Sequence, residues 1–514
     1  MRSIAPEQIN SYGSNKQWAC YSPLLFVVIL SSGLLKLRHL GHPSLHSPDE
    51  CCHALVAKNL LKHPLKPTLI DIPYLPTLAF DWGANHVWLH KPILGLWQIA
   101  GSYWLFGVHT WALRFPSVIL STLAVWLTYL IGKELLSRQA GFIAATIQAF
   151  SPFLMRLIHG YQFSDAVDVS LLFWTEFGIY FLVRALRTGK WWDIGLAGFG
   201  QGCAFLSKSY LALIVTGLVV TAWVAPTLGM AKRADTCIRG RHILGLTSVF
   251  LLTILPWTLW AAIQFPVEFQ HEHLYIWFHL TTDIEKWGAP WHKVILVYGP
   301  VLYGVFYLPM SIAVLVLIWK LFSEENIGLT LTYAWGFGVL IPHLLAATKT
   351  PSATLIGMPA FLLLFGEGIH RWLSWMQKRK TFAFRIGIII TIVSLLALGV
   401  HIIIGAWQVT SRNRNTRTLA ETASYAETQL PENAVLLVEL DADKLRNTDD
   451  HLRLMFLMSK TAHPLSNPDE WKEKAAQVRK VGGIPYLVSF REWSLPIVFS
   501  CLTDKRTIYS DEIP

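Results

Sequence analysis

Ionisable residues beside long apolar runs are costly to keep, which makes each a candidate for chemistry. In this chain they recur in like places. Asp49-Glu50 opens a short helix-like segment, DECCHALVAKNLL, soon after the first apolar run. The stretch from Trp82 to Pro92 sets His86, His90 and Lys91 among large and aromatic residues ahead of a proline. Arg114-Phe115-Pro116-Ser117 puts a guanidinium at the mouth of the next run, and Asp165 and Asp168 head a later one. Three residues apart, those two aspartates share a helix face. Carboxylates so placed accept protons, or they cap a helix whose first turn favours negative charge. Capping accounts well for one acidic pair and less well for two.

Composition says what scaffold holds these positions. Hydrophobic residues make up 53% of the 514-residue chain and charged residues 15%, against roughly 25% charged in soluble proteins. Mean hydropathy is +0.41. Many uninterrupted runs reach spanning length, which excludes a soluble enzyme, a disordered chain and a nucleic-acid-binding module. The 23 Trp, 27 Phe and 16 Tyr suit aromatic interface belts, and the net charge of +10 suits basic cytoplasmic loops. Spans are expected at 18–37, 112–132, 139–157, 166–187, 192–208, 210–229, 242–264, 294–321, 327–346, 353–371 and 385–407. The chain therefore reads as an α-helical polytopic membrane protein of about eleven spans, at most thirteen. The first has no small-x-small cleavage site behind it and reads as an uncleaved anchor.

Basic residues in short loops set the orientation. Lys133 and Arg138, then Arg184, Arg187 and Lys190, then Lys232, Arg233, Arg239 and Arg241, then Arg371, Lys378, Arg379 and Lys380 are expected in the cytoplasm. Lys36 and Arg38 oppose the rule and are outvoted. Loops 40–110, 158–165, 265–293 and 347–352 then lie outside, as does the chain after 408. Within the first loop, 91–106 is apolar but short and reads as a helix lying along the interface. Residues 408–514 read as a small C-terminal α/β extracytoplasmic accessory domain appended to the transmembrane domain 1–407. VLLVEL, IPYLVSF and PIVFSCL are expected strands, and DDHLRLMFLMSK and DEWKEKAAQVRKV are expected amphipathic helices.

The six cysteines show neither metal-ligand spacing nor a disulfide framework, and the neighbours Cys51 and Cys52 read as small apolar residues on a helix face. Loop 265–293 is rich in histidine, with His271, His273, His279 and His292 beside Glu268, Glu272, Asp283 and Glu285. A divalent metal ion is the one cofactor these loops could take, with His90 and His279 the first candidates. No HxxxH or HExxH spacing supports it, and histidines hydrogen-bonded to water or headgroups are the preferred reading.

Asp49-Glu50 after the first span, Lys91-Pro92, Arg114-x-Pro116-Ser117 and Asp165 at the head of a later span together resemble the protein O-mannosyltransferase and lipid A aminoarabinose transferase superfamily. Lys349-Thr350-Pro351 through Pro359-Ala360 is similar to that family's late-loop motif. The resemblance covers about residues 15–370. It departs at His53 and Ser352, near where the family carries tyrosines, and at Ile93, where Lys-Pro-Pro-Leu would have a second proline. It implies the GT-C membrane glycosyltransferase architecture and a polyprenyl- or dolichyl-phosphate sugar donor. The acceptor would be a lipid, glycan or protein hydroxyl, met at the outer face of a bacterial inner membrane among its lipids, with no nucleic-acid partner.

A glycosyl phosphate already carries a good leaving group. Such a site needs cations for the departing phosphate and one base for the acceptor hydroxyl. The resemblance then implies Asp49 as base, with Lys91, Arg114, Lys208 and Lys349 for the phosphate and Glu50, Asp165 and Asp168 as further acceptor or donor contacts. Attack opposite the phosphate would invert the anomeric centre. A lipid or glycolipid transporter is the rival class. It predicts repeated halves and charges at the midplane, whereas the chain shows no internal repeat and its charges collect at one interface.

Overall fold

The computed structural model describes residues 18–43, 45, 48–77, 81–161, 165–283, 288–379, 382–410, 417–439, 449–465, 467, 470–489, 498–501 and 507–508. The chain is an integral, mostly helical, multi-pass membrane protein. Its helices run α1 (Trp18–Leu37), α2 (Asp49–Leu60), α3 (Ile93–Phe106), α4 (Thr110–Leu135), α5 (Arg138–Ala149), α6 (Pro152–Ile158), α7 (Asp165–Thr188), α8 (Trp191–Lys208), α9 (Ile214–Val224), α10 (Gly240–Gln264), α11 (Pro266–Thr281), α12 (Trp291–Lys293), α13 (Gly299–Tyr303), α14 (Tyr307–Ser323), α15 (Ile327–Leu345), α16 (Met358–Arg379) and α17 (Phe382–Thr410). Beyond them lie α18 (Arg417–Gln429), α19 (Asp450–Leu457) and α20 (Trp471–Lys480).

Among the described residues, eight helical stretches are long and apolar enough to cross a membrane, nine if the bent pair α5–α6 counts as one. That is fewer than the sequence suggests, for two reasons. The described apolar part of the first helix is Pro23–Leu37 alone, and the segments expected at 192–208 and 210–229 fall in one helical stretch, Trp191–Val224. That stretch is not straight. The Thr216 hydroxyl donates to the Gln201 side-chain oxygen at 2.9 Å, and Gln201 and Val215 both lie against Gly178 of α7. Residues 15 apart in one straight helix would be about 22 Å apart, so the chain reverses at Ser209, whose φ is 58°. Pro152 opens α6 and accompanies the 47° bend after α5. The segment expected at 294–321 is interrupted too, turning at Gly304, whose φ is 56°.

Two sets of contacts separate the ends of the bundle. At one end, Arg187 meets Glu134 at 2.5 Å, Thr188 donates to Asp193 at 2.7 Å, and Arg371 bridges Glu367 and Glu324 at 2.7 and 2.8 Å. These belong to the basic loops; Lys380 of the last cluster and Glu285 of the histidine-rich loop lie outside the described residues. At the other end the long first loop folds into a compact block. Asn59 donates to the Thr68 and Leu69 carbonyls, Leu69 N–H to His86, and Trp88 N–H to Pro67. Helix α3 is only 14 residues long and packs Gly95 against Val167 at the head of α7.

The C-terminal region is an α/β unit with strand order β2-β1-β3-β4-β5, built from β1 (Ala434–Glu439), β2 (Thr461–Leu465), β3 (Ile484–Ser489), β4 (Val498–Cys501) and β5 (Thr507–Ile508). Strand β1 pairs in parallel with β2 and β3, while β4 and β5 add antiparallel. Strands β1, β3 and β4 and helices α19 and α20 fall where the sequence places them, apart from Leu440, Phe490 and other terminal residues outside the described set. The unit is not free-standing. Leu436, Leu452, Leu454 and Phe456 share one apolar core with Cys51, Leu55, Trp88, Leu96 and Tyr103 of the first loop. Lys58 of α2 donates to the Met455, Phe456 and Met458 carbonyls at 2.8, 3.1 and 2.6 Å. A cation at the end of α19 meets both the unsatisfied carbonyls and the negative end of the helix dipole.

Candidate active site

Helix α2 begins at Asp49, one residue after Pro48, and is buried on nearly every side; of its twelve residues only Lys58 is not buried. Successive residues on a helix point about 100° apart, and the two acidic neighbours go different ways. Glu50 turns into the protein and meets Arg114 of α4, with Nε to Oε1 at 2.7 Å and Nη2 to Oε2 at 3.2 Å. The Arg114 Nη1 donates to the carbonyls of Leu40 and His42 at 3.0 and 2.9 Å. Both side chains are 1% exposed or less. Gly160, at φ +64°, passes so close that a Cβ there would lie inside the Glu50 carboxylate. The pair is thus a closed clamp between α2, α4 and the end of α1. The donor or acceptor contact expected of Glu50 and the phosphate contact expected of Arg114 do not fit this placement, because the carboxylate oxygens and the guanidinium donors are already engaged.

Asp49, 8% exposed, stands on the other side. It lies within electrostatic reach of Cys52, as does Lys91. Lys91 precedes α3, its ammonium 4.4 Å from the centre of the Trp82 ring. Its charge also reaches Asp168 at the head of α7, which is ion-paired with Lys208 at the end of α8 and has Ser352 beside it. Lys208 keeps 20% of its side chain exposed while Asp168 keeps 1%. Lys208 and Lys349 both act on His343 of α15. Lys349 is buried and donates to the Ala346 carbonyl, while the Tyr298 hydroxyl holds the Lys349 carbonyl at 3.1 Å. Asp49, Lys91, Asp168, Lys208 and Lys349, far apart in sequence, are so linked neighbour to neighbour at one end of the bundle. Asp165 opens α7, and its side chain lies outside the described residues.

Three loops close over this end. Thr348 N–H and Ala347 N–H donate to the His279 and Leu280 carbonyls at 3.0 Å each, and Gly288 bridges Thr348. His90 meets Glu272 of α11 at 2.5 Å, stacks on Trp82 at 4.3 Å and neighbours His271. Burial would raise the Glu272 carboxyl, but the hydrogen bonds and charges of His90 and His271 outweigh it and hold it below the usual carboxylate range. His279 packs against Tyr275. Among the described residues, no group of three or more His, Cys, Asp or Glu side chains is arranged to hold a metal ion, and the proposed His90–His279 pair is not assembled into one. Cys51 and Cys52 are buried, with burial pushing both thiols up. Sequence reasoning gave no part to His343, Tyr298 or Gly160, and none to Trp82 beyond the aromatic stretch 82–92. His343 follows Pro342 inside an apolar run, and a lone polar side chain there was the available signal.

Residues 90–260 match the family model described as dolichyl-phosphate-mannose-protein mannosyltransferase. That stretch holds Lys91, Arg114, Asp168 and Lys208, while Asp49 and Lys349 fall outside it. An undecaprenyl phosphate-alpha-4-amino-4-deoxy-L-arabinose arabinosyl transferase of Pseudomonas fluorescens is 25% identical over 398 residues, covering 71% of this chain and 62% of the relative. The crystal structure of ArnT from Cupriavidus metallidurans bound to undecaprenyl phosphate superposes with a TM-score of 0.62 at 15% identity, covering 96% of this chain and 98% of that one. By these matches the chain is similar to the protein O-mannosyltransferase and aminoarabinose transferase superfamily. This GT-C fold also superposes on the oligosaccharyltransferase of Archaeoglobus fulgidus tethered with an acceptor peptide, with a TM-score of 0.60 at 12% identity over 92% of this chain and 70% of that one. The chain spans about three fifths of the length of the first curated relatives it matches, 62% and 63%.

Proposed function

We propose that the protein transfers a sugar from a polyprenyl-phosphate donor to a hydroxyl of a lipid, glycan or protein acceptor, at the outer face of a bacterial inner membrane. The observation that carries this reading is the gathering of Lys91, Lys208 and Lys349 with Asp49 and Asp168 at the loop-covered end of the bundle. Lysine ammonium groups stabilise a departing phosphate, a charge-assisted contact stronger than a neutral one. Asp49 takes the acceptor proton as the hydroxyl oxygen attacks the anomeric carbon. The new C–O bond forms as the bond to the phosphate oxygen breaks on the opposite side, which inverts the centre. Asp168 holds Lys208 in place.

The chain is read with eleven crossings: α8 and α9 count separately after the reversal at Ser209, and α1 and the bent α5–α6 pair are included. This count puts the basic loops in the cytoplasm and the lysine-rich end outside. The likeness to arabinosyl transferases supports a bacterial polyprenyl-phosphate donor, as does the compact α/β C-terminal unit. The test is transfer of labelled sugar from polyprenyl-phosphate donors to membrane lipid extract by the purified protein, with mass spectrometry of lipid A and surface glycans from a deletion strain. Absence of transfer from every such donor, with surface glycans unchanged on deletion, overturns the reading. Alkaline phosphatase activity of a fusion at Lys232 overturns the orientation.

A further inference from the structure

The C-terminal unit touches the first loop at one place that leads directly to Lys91. His451 of α19 is buried, and its Nε2 lies 2.8 Å from the carbonyl oxygen of Gly83. A carbonyl only accepts, so Nε2 carries the proton and the contact is a donated N–H. Burial first of all holds the imidazole down at about 4, so the ring is neutral at physiological pH and this tautomer is fixed by the Gly83 carbonyl. Gly83 follows Trp82, and the Trp82 carbonyl is itself held by the Trp88 indole N–H at 3.2 Å. The peptide carbonyls of residues 82 and 83 are therefore both tied, one from within the loop and one from the C-terminal unit. The Trp82 ring that results lies flat on His90 and under the Lys91 ammonium. A ring face placed so attracts a cation and limits where it goes.

We propose that His451 is a positioning residue for phosphate recognition. Through the Gly83 carbonyl it sets the Trp82 ring, and the ring sets the Lys91 ammonium that meets the donor phosphate. The C-terminal unit thereby takes part in donor binding without touching the donor. This rests on the reading of Lys91 as a phosphate cation given above.

The test uses full-length protein in lipid nanodiscs and undecaprenyl phosphate as the probe, with Kd as the readout. His451→Leu keeps an apolar side chain in the pocket and removes the donor. It is expected to weaken binding about fivefold, the effect of one net hydrogen bond. His451→Gln carries an amide N–H that reaches the same carbonyl, and it is expected to restore binding to within about twofold on the same scale. Trp82→Leu is expected to weaken binding by about threefold to thirtyfold, the range of a partly desolvated cation–ring contact. The deciding measurement is the double variant Lys91→Ala/His451→Leu. If His451 acts through Lys91, the double variant binds no more weakly than Lys91→Ala alone. A structural role elsewhere would instead add its full factor, and that result overturns the inference. Wild-type affinity in His451→Leu, beside weakened binding in Lys91→Ala, overturns it as well and leaves the reading of Lys91 standing. Wild-type affinity in Lys91→Ala overturns both. Should His451→Leu fail to fold, His451→Ala and its double with Lys91→Ala are read in the same way, and Trp82→Leu with Lys91→Ala tests the ring-to-ammonium half alone.

Discussion

Two ion pairs stand at the same end of the bundle, and they are built for different work. Glu50–Arg114 is closed. Both carboxylate oxygens take a guanidinium N–H, the remaining Arg114 nitrogen holds two carbonyls, and Gly160 packs without a side chain against the carboxylate. Asp168–Lys208 is open. One partner is buried, the other keeps a fifth of its side chain exposed, and Lys91 lies within electrostatic reach. A closed pair fixes helices relative to one another, because removing either partner strands the other charge in a dry place. An open pair holds a charge ready for something that arrives. The difference separates residues of the scaffold from residues of the site, where sequence alone shows only acids and bases near apolar runs.

The largest effect that sharpens this contrast is expected at Asp49, the neighbour of the closed pair that is not part of it. Asp49→Asn keeps the size but cannot accept a proton. Sugar transfer should fall by about 10²–10⁴-fold, the contribution of a general base, with thermal stability in detergent unchanged. Retention of more than half the rate would leave Asp49 only as a negative charge in the first turn of α2.

Breaking the closed pair comes next. Arg114→Met should cost about 3–5 kcal/mol of stability, the loss that follows when a buried pair is left half-empty. Poor yield and a lowered melting temperature are the expected record. A variant that stays as stable as the wild type but loses turnover would assign Arg114 to the site and dissolve the comparison.

The open pair should answer in the opposite manner. Lys208→Met removes one charge-assisted contact to phosphate, worth about 1.5–3 kcal/mol. That predicts a loss of turnover of at least tenfold, in assays of labelled-sugar transfer, with melting temperature lowered by less than in Arg114→Met, because Lys91 and Ser352 still face the buried Asp168. A collapse of stability instead would make Asp168–Lys208 a second clamp.

The smallest effect concerns the C-terminal unit. Burial holds His451 down at about 4 and His463 at about 3, against an ordinary value of 6.5. Their folded forms bind fewer protons than the unfolded chain, so the stability they contribute is whole above pH 6.5 and drains away as pH falls toward 4. At pH 5 each should have cost about 2 kcal/mol. Thermal unfolding followed at pH 7.5 and pH 5 measures this, and His451→Gln/His463→Gln should flatten the difference. Equal melting temperatures at the two pH values in the unsubstituted protein would refute it.

Much of the architecture was legible in the residues themselves. The apolar runs, the short helix α3, the strands around VLLVEL and IPYLVSF and the amphipathic α19 and α20 all follow from periodicity, which is a local property of the chain. Strand β2, with the sequence TAHPL, was not legible, because Pro464 argues against a strand until the sheet shows it at an edge, next to β1 alone. The shared core of the C-terminal unit and the first loop had no local sign either. The part played by each charge was decided last and farthest from the sequence. Asp49-Glu50 read as one acidic motif, yet α2 turns its two members apart. Glu50 finds its partner 64 residues away and Asp168 finds its own 40 residues away. The sequence by itself determined which groups would stand at the end of the bundle, because burying them anywhere else in a membrane is costly. Only the tertiary structure decided which of them close on one another and which stay open, because that depends on how helices from distant parts of the chain pack and on which side chains their facing surfaces bring within reach.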